Sequence, residues 1–493
     1  MAYFLTALVL VPALAVAFSN WRYGLFACVL VAILQDPLRK LTPGEPVYFI
    51  LLVGVVFGAA FLTAWGRVPL DLNRIVGWRR NLGLPFNLFL MLLAAQAANV
   101  YLQFGSSVLM GIGLLSYLAP LPALMLGYQY AKRGGIRGIE RWLWFYLAAI
   151  FLALISVYLE YAGVSSPMFG EVGSGIAIYD RNLGLYIDAN CGLFRASEIA
   201  AWHAGTAACI LFLVGTAWRL TIPRILIACA LLGFFVGIGL LTGRRKMLAE
   251  IAIFLSAYTF LVAMFHKGGR KLAVVAILFG VLSYIAAVGL LETDPAEKRY
   301  HSQFQQQESY LSYVERGKTV IEDMPDRLVG LGIKPIEWAI NRFGLFGAGL
   351  GMSSQGTQHF SGGAAVFGGA GEGGLGKITV ELGLPGLVLV AWLVVAMMRH
   401  IWRVLEFVSA RSMRLARLSY GFFALLVANG AVFSVASQVF GDVFVLLVLG
   451  LMLGFLLAMP VLAVRVAEGV RRGELDVSRG ASDPKHPPAW ERV

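Results

Sequence analysis

Charge is scarce in this chain, and so is cysteine. Charged residues make up 14% of it against 59% hydrophobic. Of the four cysteines, Cys28, Cys209 and Cys229 fall inside apolar runs and Cys191 stands alone in a polar loop, which leaves neither a disulfide framework nor a paired-cysteine metal site. No solenoid-type repeat recurs, and no soluble stretch is large enough to fold by itself. What is abundant is hydrocarbon: apolar runs of the roughly 20 residues a bilayer requires appear again and again. The composition therefore predicts an all-α polytopic integral membrane protein.

The net charge of +12 raises the question of nucleic acid, and its distribution answers it. The basic residues bunch in short links between apolar runs, as the positive-inside rule expects. They include Arg67, Arg74, Arg79 and Arg80; Lys132, Arg133, Arg137 and Arg141; Lys267, Arg270 and Lys271; and Arg399, Arg403, Arg411, Arg414 and Arg417. No nucleic-acid partner is expected; the partner is the bilayer.

The apolar runs predict membrane helices at 2–18, 22–35, 46–65, 85–104, 107–131, 142–162, 197–218, 222–242, 247–265, 271–291, 377–398, 418–437 and 442–464, about thirteen in all within a range of about 12–14. The N-terminus lacks a basic region and is expected to be a retained helix, although Ala15-Val16-Ala17 resembles a cleavage site. Placing the basic links in the cytoplasm puts 163–196 and 292–376 together on the opposite side. The chain then divides into helices 1–291, a large external loop 292–376 containing short helices, helices 377–464, and a disordered cytoplasmic tail 465–493.

Two cation groups defy this arrangement. Arg39 and Lys40 fall outside, and so does Arg244-Arg245-Lys246. The second group is either a snorkelling anchor, with Lys246 pairing Glu250 one turn on, or an anion site at the external surface. The loop 163–196 carries Asp180, Arg181, Asp188 and Asn190 and runs into Gly192-Leu193-Phe194-Arg195-Ala196-Ser197-Glu198, with Trp202 and His203 following on a helix. Arg195 sits at the mouth as anion ligand or interface anchor. His203 lies deeper, where a neutral packing residue and a functional group are both open.

The 292–376 insertion is too long for a mere connection, since long ordered loops are usually functional. It contains helical patterns around Ser312–Ile321, Pro325–Leu328 and Pro335–Phe343, then spaced glycines in Gly344-Leu345-Phe346-Gly347-Ala348-Gly349-Leu350-Gly351 that suggest tight turns and close backbone approach to a ligand. Glu381 is expected to pair with Lys377 four residues earlier. Glu372, among glycines with no cation within four positions, is either an exposed loop carboxylate or a general base.

Four segments in order carry a resemblance: Gln35-Asp36-Pro37-Leu38-Arg39-Lys40-Leu41, Gly192-Leu193-Phe194-Arg195, Leu241-Thr242-Gly243-Arg244-Arg245, and the long loop with Gly347-Ala348-Gly349 closing at Lys377 to Gly386. Together they resemble the O-antigen ligase and O-antigen polymerase superfamily of bacterial envelope glycosyltransferases. That resemblance implies an inner-membrane enzyme whose site faces the periplasm. It implies a donor glycan on undecaprenyl pyrophosphate and an acceptor glycan or lipid, with other polysaccharide export proteins as possible partners. Ligases of the family carry a histidine about nine residues before the closing glutamate; here that position is Glu372, which makes Glu372 the expected base and His359 the other candidate. Arg195, Arg244, Arg245, Arg327 and Arg342 are the candidates for the pyrophosphate, because planar forked donors with permanent charge suit that leaving group. No metal or cofactor is expected, since arginines can stabilise the leaving group. Polymerisation of lipid-linked repeat units is the leading expectation and ligation of finished glycan the alternative. A transporter or flippase for a lipid-linked or anionic solute is the alternative from another class; charges gathered at one face and the lack of a repeat disfavour it.

Overall fold

The computed structural model describes residues 2–76, 82–172, 178–180, 185–216, 221–265, 313, 328–354 and 373–471. The expected span at 271–291, the tail beyond 471, and Arg181, Arg327, His359 and Glu372 lie outside these residues.

The helices are α1 (Ala2–Ser19), α2 (Trp21–Lys40), α3 (Leu52–Trp65), α4 (Leu72–Val76), α5 (Gly83–Phe104), α6 (Ser107–Leu118) and α7 (Pro120–Tyr161). A two-stranded antiparallel ribbon, β1 (Ile178–Asp180) with β2 (Leu185–Ile187), follows in the 163–196 loop. Then come α8 (Ser197–Thr216), α9 (Ile222–Leu241), α10 (Lys246–Phe265), α11 (Lys334–Phe343), α12 (Gly374–Ser409), α13 (Met413–Val435) and α14 (Val443–Arg471). Among the described residues, nine helical segments are long and apolar enough to cross a membrane. The protein is an all-α, multi-pass membrane protein.

Local chemistry sets the boundaries. Asn20 caps α2 by accepting from the Arg22 amide at 3.0 Å. Gly105, at φ 61, ends α5, and Ser106 accepts from the Leu109 amide to start α6. The 55-residue segment Ser107–Tyr161 is interrupted at Gly135, whose φ of 63 and ψ of −163 are not helical, so it is two helices joined at a kink. Likewise α12 breaks at Gly383. The final helix continues to Arg471, beyond the 464 boundary expected from hydropathy.

Burial distinguishes centre from periphery. In α8, 83% of the apolar window is buried inside the protein and in α14 78%, whereas α9 and α10 bury 22% each and turn Ile222, Leu226 and Phe260 outward. Within a bilayer outward leucine costs nothing, and helices associate through close packing of small residues. The α7–α14 pair shows this: a Cβ on Gly127 would stand 2.6 Å from the Leu451 carbonyl, and one on Gly450 2.5 Å from that of Pro120.

The two ends of the bundle differ. At one end the basic links bond to one another's backbones: Arg67 to the Ser19 carbonyl at 2.9 Å, Arg133 to that of Arg67 at 3.0 Å, and Arg465 to that of Lys132 at 2.5 Å. Arg414 there pairs with Glu140 at 2.6 Å. The opposite end gathers the 163–196 loop, the α9–α10 turn, the last turn of α2 and the α13–α14 link.

Candidate functional site

At that second end the segment Asn190–Ala196 is fastened from several sides. Gly192 adopts φ 58 against Ser156 of α7, a position and a conformation that only glycine accommodates. The Leu193 amide donates to Ser156 Oγ at 2.8 Å, and those of Cys191 and Gly192 donate to Glu160 Oε2 at 2.8 and 2.5 Å. From α2, Lys40 Nζ reaches the carbonyls of Gly192 at 2.8 Å, Phe194 at 2.6 Å and Met168 at 3.1 Å. Lys40, anomalous by topology, is thus a structural tie. Most polar backbone groups of the segment find a partner, as a buried loop requires. Cys191 is enclosed here, and burial raises its thiol above the ordinary value.

This scaffold holds two arginines at the start of α8. The Arg195 amide donates to Asp36 Oδ2 at 3.0 Å, while its guanidinium Nη2 pairs with Asp442 Oδ2 at 3.0 Å. Asp442 is itself fixed, since its Oδ1 accepts the Phe444 and Val445 amides that open α14. Two residues on, the Ser197 amide and hydroxyl both donate to Glu171 Oε1, at 2.9 and 2.5 Å. Arg244 arrives from the α9–α10 turn: Nε donates to Ser197 Oγ at 2.8 Å and Nη1 pairs with Glu198 Oε1 at 3.1 Å. Its Nη2 reaches Glu171 only at 3.8 Å.

The cluster is buried and incompletely satisfied. The Arg195 and Arg244 side chains are 11% and 15% exposed. Arg195 Nη1, Arg244 Nη2 and Asp36 Oδ1 are shut off from solvent without a hydrogen-bond partner. A buried polar atom left unpaired costs about 1–3 kcal/mol, more when charged. Carboxylates thus orient both guanidinium forks while leaving one nitrogen of each without a hydrogen bond. Donors held in this way are oriented for an anion that reaches them when the cluster opens. Beside it an apolar cavity of about 370 Å³ opens between α7 and α9, lined by Tyr158, Tyr161, Phe234, Ile238 and Leu241. The Leu241 carbonyl accepts from Asn190 at 2.9 Å, which joins the cavity wall to the cluster's loop.

Of the arginines expected from sequence, the structure brings Arg195 and Arg244 together. Arg245 follows in the same turn, half-buried. Arg342 is exposed on α11 and forms no ion pair with the cluster among the described residues. The Lys246–Glu250 pairing is replaced. Lys246 donates to Gln438 at 3.0 Å, whereas Glu250 turns into the bundle and accepts from Thr206 at 2.9 Å and Asn429 at 3.2 Å. His203 is a packing residue, bonded through Nδ1 to the Tyr146 hydroxyl at 2.8 Å and stacked on Phe194. From the long insertion, Tyr313 is buried against the same loop and donates to the Asp188 carbonyl at 3.1 Å.

A second polar cluster lies at α12. Lys377 and Glu381 pair at 2.8 Å as the spacing predicts, and Glu381 also accepts from Tyr117 and Ser354, both at 2.8 Å. The spaced glycines next to it serve helix packing rather than an open ligand edge. The Ala348 amide donates to the Val380 carbonyl at 2.7 Å, and Leu384 donates to that of Leu345 at 2.8 Å.

Asp36, Glu171 and Asp442 were not assigned as site residues from sequence. The available signal was their position at the ends of helices or loops predicted to share the face of Arg195 and Arg244. No family model matches the chain, and no curated protein matches it significantly.

Proposed function

We propose that this protein is an inverting glycosyltransferase that polymerises oligosaccharide repeat units carried on undecaprenyl pyrophosphate, at the periplasmic face of a bacterial inner membrane. The observation that carries the reading is the pair Arg195 and Arg244, locked by carboxylates yet each retaining a buried nitrogen without a hydrogen bond. A lipid pyrophosphate leaving group concentrates negative charge at the edge of a low-dielectric medium. Prearranged arginine donors stabilise that charge as the glycosidic bond to phosphate breaks. The adjoining apolar cavity supports an amphiphilic donor, with an anionic head at the arginines and hydrocarbon beside α9. An acceptor hydroxyl, relieved of its proton, attacks the anomeric carbon from the opposite face.

Glycan analysis of a deletion strain tests the reading. Loss of long chains with single repeat units retained is the expected result. Accumulation of long lipid-linked chains would make the protein a ligase, and unchanged glycans would reject both activities.

A further inference from the structure

The carboxylates around the two arginines are not equivalent. Asp442 uses one oxygen on Arg195 and the other on the α14 amides. Glu171 Oε1 is taken up by Ser197, Glu198 Oε1 by Arg244, and Glu160 Oε2 by two loop amides. Asp36 differs. Its Oδ2 accepts the Arg195 amide, while Oδ1 is the one carboxylate oxygen among the described residues that is both closed to solvent and without a donor. In the same cluster, Arg195 Nη1 is a donor without an acceptor. A ligand that satisfies both presents an anionic oxygen and a hydroxyl.

Resting on the glycosyl-transfer reading above, we propose that Asp36 is the base that takes the acceptor's proton, in place of Glu372 or His359. The acceptor O–H bond breaks and its proton passes to Asp36 Oδ1. The oxygen's electron pair forms the new bond to the anomeric carbon. The bond from that carbon to the pyrophosphate oxygen breaks, and its electron pair departs on the lipid pyrophosphate beside Arg195 and Arg244.

The test uses the full-length protein in lipid nanodiscs with an undecaprenyl-pyrophosphate-linked oligosaccharide, measuring chain extension and donor binding separately. Because the amide of D36N still accepts from Arg195, donor affinity should stay within about threefold of wild type. Chain extension should fall by on the order of 10²-fold or more, the usual contribution of a general base. Normal extension in D36N overturns the assignment, as does E372Q abolishing extension while D36N retains it. Donor binding lost in parallel with extension in D36N also overturns it, since Asp36 would then only position Arg195. Should D36N fail to insert, the wild-type protein is treated with dicyclohexylcarbodiimide and mapped by mass spectrometry. Labelling of Asp36 that stops extension and is blocked by lipid pyrophosphate supports the assignment; labelling that leaves extension intact overturns it. Wild-type protein that fails to extend the oligosaccharide at all rejects the glycosyl-transfer reading itself, a result distinct from active wild type with active D36N.

Discussion

The cluster at Arg195 and Arg244 and the cluster at Lys377 and Glu381 are built from the same materials and end differently. Both bury cations against carboxylates at the ends of membrane helices. Around Glu381 the charged groups are satisfied: Lys377, Ser354 and Tyr117 supply donors to the fully buried carboxylate, and the neutral Ser353 hydroxyl is what stays unpartnered. Around the arginines they are not, and Arg195 Nη1, Arg244 Nη2 and Asp36 Oδ1 are closed to solvent without a hydrogen bond. A buried charge network that is complete is explained by folding. One that keeps oriented donors in reserve is better explained by something it binds.

Breaking each cluster separates these roles. The largest effect on stability is expected for Lys377→Met, which strands Glu381 at zero exposure; removing one partner of a buried pair costs about 3–5 kcal/mol. The double variant K377M/E381L should recover most of that in thermal unfolding, and failure to recover would show that the pair does more than neutralise itself. Arg244→Ala should lower chain extension by about 10²–10³-fold, the range for loss of one prearranged donor. Here R244A/E198Q should regain stability without regaining extension, so recovered extension would reduce this cluster to a structural one.

Smaller changes sharpen the contrast. Trp202→Phe removes the 2.6 Å bond to Asn429 that ties α8 to α13 below the cluster, and should cost about 1–3 kcal/mol with little change in donor affinity. Arg133→Ala, at the opposite end, removes an exposed bond to a carbonyl and should shift stability by less than about 0.5 kcal/mol. A large effect there would mean that the basic links shape the fold as well as its orientation.

Hydropathy made the fold legible because a bilayer admits few alternatives. The predicted 197–218 and 222–242 appear as Ser197–Thr216 and Ile222–Leu241, each within two residues. Arg244 was legible for a related reason: alternation of the spans sets it at the end opposite the basic links, where a cation demands compensation. What compensates it was not legible. Asp36 lies 159 residues from Arg195 in the chain, and no local spacing reports such a contact. Lys246 misled for the opposite reason. Four-residue spacing suggested Glu250, but the helix turns that carboxylate inward, and Gln438 from the α13–α14 link takes the ammonium. Lys377 and Glu381 share the same spacing and do pair. Spacing alone names the partners a helix can offer, and the neighbouring helices decide among them.

The pairing of Arg195 with Asp442 carries a consequence for biogenesis. Arg195 enters the membrane at the start of α8, long before ribosomes reach the aspartate that opens α14. Until then the guanidinium lacks its counter-ion, and the apparatus is unfinished although most helices are already inserted. The site is therefore completed only once the start of α14 has been made. A nascent or truncated product ending short of α14 would carry an exposed, uncompensated cation where the finished protein has a neutralised one, a mark by which membrane quality control could tell the two apart.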